Sequence, residues 1–152
     1  MNKIAALITS TVLYLGLTLA SFAADFGTAA EADAMLQRAI VELLADEKAA
    51  IGKFNSEDGG FRDRDLYVFC FNASDGVITA HANRDIVGTD VRTLKDPAGK
   101  AFGEEMFSQA QEGKISSAAY SFPRPGTDKP VPKESRYTRV GSQVCGVGHY
   151  TE

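Results

Sequence analysis

Tryptophan is absent from this chain of 152 residues, and cysteine and histidine occur only twice each. Two residues of each kind leave little material for a multi-ligand metal centre. His81 and His149 stand without the carboxylate or cysteine spacing of a zinc site. Long Lys/Arg blocks are missing and the formal net charge is −4, which argues against nucleic acid as the main partner. The five prolines and 14 glycines are scattered, which excludes collagen-like and linker-like chains. There is no GxSxG elbow, no HExxH helix, no GxxxxGKS phosphate loop and no CxxCH haem attachment. A papain-like Cys/His pair exists on paper, but both cysteines lie inside apolar runs rather than at a helix start, where a thiolate would be stabilised. Catalysis, a cofactor and a bound metal are therefore not expected. What is present, 44% hydrophobic and 24% charged residues at this length, suits one small globular domain.

The first 23 residues do not count toward that domain. Met1-Asn2-Lys3 is a short positive start, Ile4 to Ala20 is almost wholly apolar or small, and Ser21-Phe22-Ala23 has small residues at the −3 and −1 positions. This is the pattern of a secretory signal peptide cleaved after Ala23. The competing reading, an uncleaved membrane anchor, rests on an apolar stretch just long enough to span a bilayer. The expected mature chain is 24–152, periplasmic or secreted.

Along the mature chain, Thr28-Ala29-Ala30-Glu31 reads as a capping box. Leu36, Ile40, Leu43, Glu47, Ala50, Ile51 and Phe54 then recur near a period of 3.6. The pattern predicts one helix to about Asn55, ~40 Å long at 1.5 Å per residue. Such a rod exceeds a small sheet, so part of it should project or pair with a partner, including a second copy. Five strands are predicted at 66–71, 77–81, 115–122, 133–140 and 144–150, with a short helix carrying Phe102, Met106 and Phe107 between the second and third. The fold class expected is α+β with an antiparallel sheet.

Residues 24–114 carry 10 basic and 17 acidic side chains, and residues 115–152 carry five basic and three acidic. A locally positive third interleaved with Tyr120 and Tyr137 suits a small anion such as a carboxylate, since cations attract it and phenols orient it. The plainer reading is that these cations pair with the acidic helix. Cys70 and Cys145 also read two ways: as small buried hydrophobes, or, if their strands are neighbours in an oxidising compartment, as a disulfide.

The segments Asp65-Leu66-Tyr67-Val68-Phe69, Thr79-Ala80-His81-Ala82-Asn83, Ile86-Val87-Gly88-Thr89-Asp90, Asp96-Pro97-Ala98-Gly99-Lys100-Ala101-Phe102 and Tyr120-Ser121-Phe122-Pro123-Arg124-Pro125 follow in order, with the Lys133 strand after them. This ordered set resembles the second type of single Cache domain, an extracytoplasmic sensor module of bacterial chemoreceptors and sensor kinases. The resemblance spans roughly residues 28–150. It implies a PAS-like fold, with a long N-terminal helix on a five-stranded antiparallel sheet and a pocket for small organic acids or similar metabolites. It also places the first and last strands side by side, which supports the Cys70–Cys145 pairing. The family's transmembrane helix and signalling domain do not follow Glu152, so the expectation is a stand-alone periplasmic form that signals through a membrane receptor or sensor kinase. The alternative is a scaffold module with a vestigial pocket.

The resemblance nominates His81, Tyr120 and Lys133 as pocket residues. The family's Lys-x-Ser-Tyr pattern is altered here to Lys133-Glu134-Ser135-Arg136-Tyr137. By strand alternation Lys133, Ser135 and Tyr137 share a face and Arg136 points to the other. Either the pocket uses Arg136 directly or a bulge restores Tyr137.

Overall fold

A computed structural model describes residues 25–152. Residues 1–23, read above as a signal peptide, lie outside the described residues. The helical layer comes first: α1 (Ala29–Ala45) and α2 (Glu47–Asn55). The capping box forms as read, with the Glu31 amide donating to Thr28 Oγ1 and the Thr28 amide to Glu31 Oε2. The single long helix does not form. Asp46 leaves helical geometry (φ −160°, ψ 102°), and its carboxylate accepts from the Ala49 amide at 2.9 Å, capping a second helix. The apolar periodicity runs through this break because Leu43, Ala50 and Phe54 all still reach the core. Val41 and Leu44 remain exposed on α1. Among the described residues no helix is long and apolar enough to cross a membrane.

Six strands form: β1 (Arg62–Asp63), β2 (Leu66–Asn72), β3 (Ile78–Ala80), β4 (Ser116–Pro123), β5 (Pro130–Val140) and β6 (Gln143–Tyr150). Two-residue β1 is the addition to the five expected, too short to leave a pattern in the sequence. The order is β1-β2-β6-β5-β4, all antiparallel, with β3 also on β2. The first long strand and the last are neighbours. Cys70 and Cys145 face each other in that ladder, Cα to Cα 4.1 Å, and form the disulfide. The short helix α3 (Phe102–Gln109) precedes β4 as predicted.

The sheet separates two cores. On one face α1 and α2 bring Met35, Leu36, Ala39, Leu43 and Phe54 onto Leu66, Val68, Cys70, Cys145 and Val147. On the other, Phe102 and Met106 of α3 and Val91 of the preceding loop pack with Tyr67, Phe69, Phe71, Tyr120, Tyr137 and Val144. β2 and β6 are buried on both faces, in keeping with the apolar run Leu66–Phe71 and with the Val144–Val147 stretch of β6. The second face is rich in aromatic groups, and the candidate site lies there.

Candidate functional site

Lys133 stands on β5 opposite Tyr150 of β6 and opposite Tyr120 of β4. It is only 2% exposed. Its ammonium reaches across β6 to β2, where Nζ donates to Tyr67 Oη at 2.7 Å, with Tyr150 Oη at 3.5 Å. The nitrogen also lies 4.1 Å from the Tyr67 ring centroid, 4.7 Å from that of Tyr150 and 5.6 Å from that of Phe122. Strands are ~4.8 Å apart, so the side chain bridges ~10 Å from β5 to β2. It can do so because the intervening strand carries hydrogen where a side chain would block the way. A Cβ on Gly148 would fall 2.3 Å from Lys133 Cε and 2.3 Å from Ser135 Oγ. Gly146 likewise leaves room for the Phe69 ring, 2.5 Å from where its Cβ would lie.

Burial lowers the Lys133 amine to about 7, with the negative charge of Asp65 opposing that shift. Among the described residues no carboxylate comes within ion-pair distance of it. Burial and the neighbouring Tyr150 push the Tyr67 phenol up, and burial lifts Tyr150 to about 12. Both phenols therefore remain protonated donors near neutrality. Tyr150 uses its proton on the Pro123 carbonyl at 2.6 Å.

His81 follows β3 and packs edge-on against Tyr67 (4.9 Å between centroids) and Phe122 (5.7 Å). Its Nδ1 accepts the Asn83 amide at 2.9 Å, which assigns the proton of the neutral ring to Nε2. Burial, then the charge of Lys133, depresses it to about 3, so it is uncharged at neutral pH. Tyr120 stacks on Phe102 (4.0 Å, 7°), and its hydroxyl hydrogen-bonds Ser135 Oγ at 2.8 Å. Tyr120 is part of the core and also lines the inner cavity.

The strand alternates without a bulge between 133 and 137. Arg136 points to the helical face and pairs with Asp33 of α1 at 2.6 Å, away from the cavities. Tyr137 shares the Lys133 face but is sealed in the core cluster with Phe71, Met106 and Val144 and lines neither cavity. Neither alternative for this pair places a side chain at Lys133; the phenols there come from β2 and β6. The positive C-terminal third is also dispersed, with Arg124 on Asp65 and Arg139 on Glu112.

Two cavities adjoin Tyr67, His81 and Tyr120, while Lys133 itself lines neither. An inner one of about 20 Å³, lined by Phe69, Phe102, Tyr120, Phe122 and His81, has room for about one water. An outer cleft of about 790 Å³ lies between the loop after β3 and the loop after β4, with Tyr67 and His81 in its wall. Sequence reasoning missed Tyr67, Tyr150 and Gly148. The Gly146-x-Gly148 pair inside a strand was the available signal, since strand glycines mark close approach by another group.

The family model for single Cache domain 2 matches residues 28–150. Solved structures share the fold. One is a Cache chemosensory domain described for its carboxylic acid recognition, 22% identical, TM-score 0.62, with 81% of this chain and 88% of that one covered. Another is a methyl-accepting chemotaxis protein from Vibrio parahaemolyticus RIMD 2210633, 20% identical, TM-score 0.67, with 81% and 88% covered. A third is the periplasmic sensor domain of a chemotaxis protein, 22% identical, TM-score 0.59, with 81% and 90% covered.

Proposed function

Because this chain belongs to the single Cache domain 2 family, we propose that it is an exported sensor domain that binds a small organic acid at Lys133 without converting it. One observation carries this reading: a buried ammonium that touches two phenols and no carboxylate. A cation in that position costs free energy unless an anion meets it. A ligand carboxylate would supply the missing partner, accept from Lys133 and hold it charged. Neutral His81, with its proton on Nε2, and the Tyr67 phenol add directional bonds without adding charge, while Tyr150 keeps its proton on the Pro123 carbonyl. The relative described for carboxylic acid recognition points the same way. Export with cleavage after Ala23 belongs to the same reading, and the signal would pass to a membrane receptor or sensor kinase.

A thermal-shift screen of small carboxylates followed by calorimetric titration tests it. A charge-assisted bond contributes about 1.5–3 kcal/mol, so Lys133→Met should weaken the best acid roughly tenfold or more. Arg136→Gln and Arg139→Ala, both exposed and on other partners, should leave it nearly unchanged. Equal losses in all three would mean a diffuse basic surface. Binding of no acid would favour the second reading, an interaction module with a vestigial pocket, which the small inner cavity supports.

A further inference from the structure

The acidic chain has eight arginines, and four of them, Arg62, Arg64, Arg84 and Arg124, line the outer cleft, against the carboxylates of Glu57 and Asp128. Two of the four are engaged. Arg64 holds Glu31 at 2.7 Å and Asp63 at 2.6 Å, and Arg124 holds Asp65 at 3.3 Å. Arg62 and Arg84 make no ion pair with any described residue. Arg62 Nε is buried and has no hydrogen-bond partner. An unsatisfied guanidinium nitrogen in a cleft wall is costly unless something else occupies it.

Tyr67, which lines this cleft and bonds Lys133, connects the two. The inner void of about 20 Å³ cannot contain a carboxylate together with a carbon chain. Lys133 lines neither cavity and is joined to the outer cleft through Tyr67, which lines that cleft and accepts from Lys133 Nζ at 2.7 Å, so an acid whose carboxylate meets Lys133 must keep its remaining atoms in the outer cleft, past Tyr67 and His81. The cleft volume falls within the range of small-molecule sites. There the far end of the ligand meets two planar guanidinium groups, which match a carboxylate through paired N–H donors better than an ammonium does.

We infer that Arg62 and Arg84 form a second anionic subsite and that the ligand is a dicarboxylate, one end on Lys133 and the other on these arginines. The inference rests on the Lys133 reading and adds the ligand class to it. The probes are succinate and glutarate, each against its own monomethyl ester, which has the same chain with one charge removed. Titrated at low salt, at least one diacid should bind tenfold or more tightly than its ester. In Arg62→Gln/Arg84→Gln that preference should vanish, with the diacid falling to the ester's affinity and the ester unchanged. Because Arg84 is exposed, Arg84→Gln alone provides a folded variant and should lose part of the preference. An ester that binds as well as its diacid, or a preference that survives in both variants, overturns the second subsite and leaves the Lys133 reading standing. If neither probe nor any monocarboxylate binds, both fall.

Discussion

Replacing Gly148 by alanine should damage the site at its floor without changing any polar group. Ordinary contacts of a Cβ begin at 3.4 Å, and here the added carbon would lie 2.3 Å from both Lys133 Cε and Ser135 Oγ, an overlap of more than 1 Å. The Glu134 carbonyl at 3.2 Å limits escape on the backbone side. Lys133 and Ser135 are both buried, so neither can swing into solvent without breaking the bond to Tyr67 or to Tyr120. Overpacking of this kind costs about 1–3 kcal/mol. At about 5 °C per kcal/mol for a domain of this size, Tm should fall by roughly 5–15 °C. Gly52 provides a control of opposite sign. It lies exposed in α2, and nothing lies within 4 Å of its Cβ position. Gly52→Ala should raise stability by about 0.5–1 kcal/mol. Thermal melts followed by circular dichroism compare the two directly. A Gly148→Ala protein that melts with its parent, while Gly52→Ala shows its gain, would refute the claim that Lys133 is threaded over a glycine.

Two further outcomes follow from the same geometry. Below pH 7 Lys133 is charged in both the folded and unfolded chain; as pH climbs from about 7 toward 10.5 the folded protein has released the proton and the unfolded chain still holds it, so this residue's contribution rises with pH. Lys133→Met should therefore exceed its parent in urea stability at pH 6 and lose that advantage by pH 9; an equal deficit at both values would contradict the argument. The Cys70–Cys145 bond closes a separation of 75 residues, for which the chain-entropy account gives about 4 kcal/mol. Reduction should lower Tm accordingly and raise the intact mass by two hydrogens, whereas two titratable thiols in the untreated protein would exclude the bond.

How much of this was legible in the sequence depended on range. The Thr28–Glu31 cap was readable because both partners lie within one helical turn. The break at Asp46 was not, because apolar spacing continues across it and the deciding event is a side chain competing for the Ala49 amide. The β2–β6 neighbourhood came from resemblance; spacing alone left Cys70 and Cys145 open. Lys133 was nominated by resemblance too, and strand alternation put Arg136 on the correct face. Tyr67 and Tyr150 were invisible because they meet Lys133 through a register spanning three strands, and nothing local encodes that. The open question about Tyr137 had the same origin: a buried phenol beside a candidate lysine in sequence is not beside it in space.

The disulfide lies on the helical side of the sheet, directly behind β2 and β6, the two strands that present Tyr67 and Tyr150 to Lys133. A covalent tie there limits how far those strands can spread, whatever happens on the opposite face. Any shape change on ligand arrival would thereby be shifted outward, to the segments 82–84 and 124–128, which line the cleft outside the paired strands. Amide exchange along the β2–β6 ladder should accordingly be slow with or without ligand, and occupancy should be recorded in the exchange rates of the rim. On the proposed reading the recognition surface is braced and the border is not, so a partner reading its state would have to contact the border.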